Sequence, residues 1–240
     1  MTRENGRQND ELREIEIQTD INKHAEGSCL IYCGDTQVIC TATIEEKVPP
    51  FLRGKGEGWI TAEYNMIPRA TGTRVQRDRG EKVNSRALEI QRLIGRSLRS
   101  CVDMKKLGER QILIDCDVIQ ADGGTRCASI TGGFVAMYLA IQDLIKRRVI
   151  KENPITNFVS AVSCGVCNGE CVLDFDYDED SNSECDVNFI LNDKQEIIEV
   201  QGTAEGKPFS FEQFNKLYSL AVKGTKELIE KQKEALELLL

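Results

Sequence analysis

The residues that could act together chemically lie first between positions 115 and 126. Asp115-Cys116-Asp117-Val118-Ile119-Gln120 alternates like a strand and runs into Ala121-Asp122-Gly123-Gly124-Thr125-Arg126, with an apolar helix expected to open at residues 128–130. Paired glycines let the backbone turn tightly and present its N–H groups, and the positive end of a helix follows, so the junction suits an anion. Thr125 adds a hydroxyl, and Arg126 a guanidinium fork that matches phosphate oxygens.

A second concentration of charge follows at Asp174-Phe175-Asp176-Tyr177-Asp178-Glu179-Asp180 and Asp186-Val187-Asn188. Read as a strand, Asp174, Asp176 and Asp178 alternate to one side, Asp180 closes the strand and Asp186 opens the next. So many like charges repel one another unless solvent or a cation intervenes. Two carboxylates flanking a turn can share one hard divalent ion, most naturally Mg2+ that stays partly hydrated and also touches substrate phosphate. An acidic surface loop is the commoner outcome of such a run, and the phosphate-shaped turn is what favours the metal.

The elements that must hold these residues read as α+β. Strands are expected at residues 14–18, 28–32 and 37–45, and a short one near 59–63 after the glycine-rich 54–58. Ser85 is positioned to cap a helix over 86–102 with Leu88, Ile90, Leu93, Ile94 and Leu98 on one face. A strand over 111–120 and a helix over 129–146 follow, the helix facing inward through Phe134, Met137, Ile141, Leu144 and Ile145. Residues 156–202 are a second β-rich block. Ser210-Phe211-Glu212-Gln213 is a capping box for a long last helix. Strands followed by a helix therefore occur twice, as in a pseudo-duplicated unit, and the 240 residues are expected to form one domain.

Composition narrows the class. Hydrophobic residues make up 40% and charged residues 29%, as in an ordinary globular protein. The charged opening and the expected lack of any run of about 18 apolar residues argue against export or a membrane span, and place the chain in the cytoplasm. The ten cysteines then read as reduced. Cys29, Cys40, Cys116, Cys164 and Cys185 sit where strands take small apolar residues, and Cys164 and Cys167, with Cys171 nearby, lack a fourth zinc ligand. His24, the single histidine, lies away from both charged regions and reads as structural.

The net charge of −8 hides a basic band. Residues 66–100 carry +6 and the rest of the chain −14, so a polyanion would be drawn to one place and repelled elsewhere. Arg69, Arg74, Arg77 and Arg79 fall in a loop without apolar periodicity. Arg92, Arg96 and Arg99, at helical spacing, are either a solvated face or, with Asp103, a subunit contact.

Several segments in this order resemble the ribonuclease PH family of phosphate-dependent 3′-to-5′ exoribonucleases. They are Asn5-Gly6-Arg7, Glu11-Leu12-Arg13, His24-Ala25-Glu26-Gly27-Ser28, Gly34-Asp35-Thr36, Gly58-Trp59-Ile60-Thr61-Ala62-Glu63-Tyr64, Ile67-Pro68-Arg69-Ala70-Thr71, residues 89–99, residues 115–126 and Gln201-Gly202-Thr203-Ala204-Glu205. The resemblance spans nearly the whole chain. It implies the ribonuclease PH fold, a unit like the second domain of ribosomal protein S5, assembled as a homohexamer, a trimer of dimers. It also implies trimming of the 3′ ends of transfer RNA precursors by transfer of the terminal nucleotide to inorganic phosphate.

Carried over residue by residue, the resemblance gives phosphate to Arg86, Gly124, Thr125 and Arg126. Asp180 and Asp186 become the catalytic acidic pair that holds Mg2+ or Mn2+, and Arg69, Arg74, Arg77 and Arg79 the grip on RNA. The chain departs from the family at Ser85-Arg86-Ala87, usually Gly-Arg-Thr, at Cys127, usually threonine, and at Gly132-Gly133, usually glycine-alanine. The hydroxyls missing at Ala87 and Cys127 are expected to tune phosphate affinity. Two rival readings are a catalytically silent RNA-guiding ring subunit, which typically lacks the phosphate arginines or the acidic pair, and a hydrolytic two-metal nuclease, which has no use for a free-phosphate pocket.

Overall fold

The computed structural model describes residues 3, 6–77, 84–205 and 207–238. Five strands form the first sheet: β1 (Ile15–Thr19), β2 (Gly27–Cys33), β3 (Thr36–Glu45), β4 (Trp59–Met66) and β5 (Gln111–Gln120). Their order is β1-β2-β3-β5-β4. Neighbours pair antiparallel except β4 and β5, which run parallel. A parallel neighbour needs a crossover, and α1 (Ser85–Arg99) supplies it. α1 is capped by Asn84, whose side chain accepts from the Arg86 amide. The cap thus sits one residue before the Ser85 expected from sequence, Asn and Ser being equally able to do this.

The second sheet, of order β7-β6-β8-β9, comprises β6 (Val159–Cys167), β7 (Glu170–Leu173), β8 (Cys185–Asn192) and β9 (Ile197–Ala204). Its pairs are all antiparallel. α3 (Thr125–Lys146) packs against both sheets, and α5 (Phe211–Ala235) lies on β6 and β7. The repeated strands-then-helix arrangement is thereby realised, with α2 (Met104–Leu107) and α4 (Tyr177–Ser181) as short additions.

Packing explains where simple patterns fail. β3 is buried at alternate positions Val38, Cys40 and Ala42, as a strand with one covered face should be. β6 is buried along almost its entire length, because helices cover both of its faces. α3 starts at Thr125, earlier than the periodicity suggested, and is buried nearly all round rather than along one stripe. By length and composition α3 is apolar enough to cross a membrane, contrary to expectation. In the fold 72% of its most apolar window is buried inside the protein, so core packing between two sheets accounts for that composition.

The acidic stretch also folds differently from its reading as a strand. β7 ends at Leu173, and residues 177–181 form α4. Asp176 and Glu179 make a capping box at its start, so they serve the helix backbone. Asp180 is therefore a helical residue one short turn before β8, not the end of a strand.

Candidate active site

Gly123 and Gly124 carry φ of +73° and +64°, in the left-handed region that side chains resist. A Cβ at Gly123 would lie 2.6 Å from the Phe175 carbonyl oxygen, and one at Gly124 2.9 Å from an Arg13 nitrogen. Close approach and conformation both demand glycine here. Gly124 is the N-cap of α3 and, lacking a side chain, makes no capping hydrogen bond to it. Its first amides are thus left for an incoming anion.

Buried polar groups hold this turn from behind. Arg13 grips Asp174 through two side-chain bonds of 2.7 and 3.0 Å, and the Arg13 amide adds a third at 2.8 Å. Arg13 also donates to the Asp122 carbonyl. The Thr36 hydroxyl donates to the Gly123 carbonyl at 2.7 Å and accepts from the Asp122 amide at 3.0 Å. Burial alone would raise the Asp174 pKa, but the Arg13 charge and hydrogen bonds outweigh it and hold the carboxylate below its ordinary range.

A cleft of about 620 Å³ opens in front of the turn. Arg86, Gly124, Thr125, Arg126, Asp180 and Asp186 all line it. Six residues nominated from positions as distant as 86 and 186 thus meet around one space. Thr125 shares a 2.8 Å hydrogen bond with the Tyr64 hydroxyl. Arg126 donates to Gln201 at 2.9 Å and lies 3.6 Å from Glu89.

Asp180 acts on Asp186 across the cleft. Burial, then the charge of Asp180, pushes Asp186 up to about 6, against the pull of Arg126, Asn188 and Arg86. Burial also raises Asp180, again opposed by Arg86 and Arg126. Asn188, buried on β8, donates to the Asp186 carboxylate at 3.2 Å and accepts from the Cys127 thiol at 3.2 Å. Asp180 and Asp186, lining one cleft, offer carboxylate oxygens, the donors that a hard divalent ion takes.

Other nominated residues lie elsewhere. Arg69, Arg74 and Arg77 are exposed and do not line the cleft. Arg69 donates to the carbonyls of Thr71 and Gly72 at 3.0 and 2.6 Å, bracing the loop that forms the cleft's rim. Arg79 falls outside the described residues. Of the proposed subunit contacts, Arg96 pairs with Glu199 at 2.6 Å, Arg99 covers the Trp59 ring at 4.3 Å, and Asp103 caps α2. Arg92 is exposed. Cys127 turns toward Asn188 rather than into the cleft, whereas Ala87 does line it. Sequence reasoning gave no role to Arg13, Thr36, Tyr64, Asp174, Asn188 or Gln201. Arg13, Thr36, Tyr64 and Gln201 stand in segments that carry the family resemblance, but the partners that give them these roles lie far off in sequence, which local spacing cannot display.

Residues 11–141 match the 3′ exoribonuclease family, domain 1, and residues 157–224 match domain 2 of that family. The chain is 58% identical to a Ribonuclease PH of Neisseria meningitidis, over 95% of this chain and 94% of that protein. It is 55% identical to a Ribonuclease PH of Roseobacter denitrificans, over 97% of this chain and 99% of that one. Among solved structures, an Archaeoglobus fulgidus exosome with RNA bound to its active site superposes with a TM-score of 0.79 at 22% identity, covering 95% of this chain and 92% of that one. Rice Rrp46 does so with a TM-score of 0.79 at 16% identity, covering 98% and 100%. These two establish the shared fold, and the family matches together with the near full-length identities establish that the chain belongs to the 3′ exoribonuclease family.

Proposed function

We infer that the cleft between α1, α3 and α4 is where this phosphate-dependent 3′-to-5′ exoribonuclease, a tRNA nucleotidyltransferase, carries out its reaction. The observation that carries this reading is that Arg86, the α3 N-terminus, Arg126, Asp180 and Asp186 border one cavity. Inorganic phosphate would sit against Arg86, Arg126 and the free amides of α3. One of its oxygens forms a bond to the phosphorus of the last phosphodiester, and the bond from that phosphorus to the 3′ oxygen breaks. A nucleoside diphosphate leaves, and the shortened RNA keeps the 3′ hydroxyl, whose proton comes from the attacking phosphate. Because a phosphoanhydride replaces a phosphodiester, the step is nearly balanced and runs backward when diphosphate is in excess.

Asp180 and Asp186 would hold Mg2+ or Mn2+, and a bound divalent ion supplies neutralisation of phosphoryl charge. Arg74 and Arg77 would attract the RNA backbone at the rim, and Arg79, outside the described residues, would add to the same basic charge. The working assembly would be a cytoplasmic homohexamer, a trimer of dimers, so light scattering should return the mass of six chains.

Incubating the protein with a 3′-extended transfer RNA, with and without phosphate, tests the reaction. Nucleoside diphosphates should appear only with phosphate, whereas monophosphates released without it would indicate hydrolysis and defeat the reading. Arg126→Ala should raise the KM for phosphate by about 10-fold or more while RNA binding stays largely intact. Equal activity of variant and parent at limiting phosphate would remove Arg126 from the site.

A further inference from the structure

Tyr177 is 61% exposed, so its ring is open to a ligand. It lines the same cleft as Asp180 and the phosphate turn. The ring makes no aromatic contact, and its hydroxyl no hydrogen bond, among the described residues. Its backbone, by contrast, is fixed. Tyr177 opens α4, whose capping box is complete, and its amide donates to Asp122 at 3.2 Å. The backbone of residues 175–176 abuts Gly123 closely enough to forbid a Cβ there. A side chain with no evident packing role is thus mounted on a backbone tied to the phosphate turn. It also stands one helical turn from Asp180, and residues three apart share a helix face.

A nuclease that removes successive nucleotides needs a grip indifferent to base identity. Stacking on an aromatic face provides it, because every base has a π-face, whereas hydrogen bonds to base edges would select among bases. Of the two aromatic residues lining the cleft among the described residues, Tyr64 is 3% exposed and bonded to Thr125, so its ring offers no platform. Tyr177 does.

We propose that the Tyr177 ring stacks on the base of the RNA's 3′-terminal nucleotide and so holds the scissile phosphodiester over the phosphate turn without discriminating among bases. This rests on the cleft being the phosphorolytic site.

The test uses an oligoribonucleotide with 2-aminopurine at its 3′ end, bound without phosphate so that no turnover occurs. A second RNA carries an abasic 3′-terminal residue. The wild-type protein should quench the fluorophore. Tyr177→Ala should abolish the quench and raise the KM for RNA about 10-fold, with the KM for phosphate unchanged. Tyr177→Phe should restore both readouts relative to Tyr177→Ala. On the abasic RNA, wild type and Tyr177→Ala should have the same KM. An undiminished quench in Tyr177→Ala, an unchanged KM for RNA, or a full effect of the substitution on the abasic RNA would each overturn the stacking role. An equal rise in the KM for phosphate would do so too, since it would mean that the turn itself had been disturbed. If Arg126→Ala instead leaves phosphate dependence untouched, the location of the active site is wrong, which separates that failure from this one.

Discussion

Asp186 is where function and stability oppose one another. Its pKa in the fold is about 6 against an ordinary 3.8, for reasons of burial and of the neighbouring Asp180 charge. A carboxyl with a raised pKa favours the fold in its protonated form. That stability is fully present below about pH 3.8 and is lost as pH rises through about 6. Asp186→Asn should therefore stabilise the metal-free protein at pH 7.5 by about 1 to 2 kcal/mol, abolish phosphorolysis, and give little gain near pH 4, as thermal melts at the two pH values would reveal. With the divalent ion subsaturating, phosphorolysis in the wild type should decline as pH falls through about 6, because the protonated carboxyl of the metal-free site takes up a cation poorly. Gly124→Ala would force a Cβ into a φ of +64° and toward Arg13. It should cost about 1 to 2 kcal/mol in a denaturation midpoint and weaken phosphate binding together with it.

At the level of elements, the phosphate turn is only as good as what stands behind it. Arg13 leads into β1 and Asp174 follows β7, so their ion pair joins the edges of the two sheets beneath Gly123 and Gly124. Breaking a buried pair strands a charge, and Arg13→Ala should cost about 3 to 5 kcal/mol in chemical denaturation. Pairing Arg13→Met with Asp174→Asn should recover much of that stability without restoring phosphate affinity, since the contact with the Asp122 carbonyl stays lost. α4 depends on similar support from the chain's beginning. Arg3 and Arg7 both pair with Glu179, tying the N-terminal segment to the helix that bears Asp180.

For the whole molecule, the decisive property is uneven charge. An excess of +6 in residues 66–100 within a chain of −8 predicts binding governed by the RNA backbone and strongly sensitive to salt. Changing Arg74 and Arg77 together to alanine should flatten the logarithmic salt dependence of RNA affinity by about 1.4 if each meets one phosphate of a single strand. Fluorescence titrations at several salt concentrations measure that slope, and an unaltered slope would remove both arginines from the RNA path.

Residues whose local spacing is the chemistry were legible from the order of amino acids alone. The Gly123-Gly124-Thr125-Arg126 turn needs only its neighbours to be recognised, because a left-handed turn opening a helix is a local structure. Alternation disclosed β3, and the Ser210 capping box disclosed the start of α5, for the same reason. Tertiary structure decided the rest. That Asp180 stands on a helix and not on a strand follows from Asp176 and Glu179 capping that helix, a choice invisible in a run of acids. That α3 is buried all round requires two sheets, and that Arg13 supports the turn requires Asp174, 161 residues away. Local propensity carries no information about such partners, since their energy exists only once the chain has closed on itself.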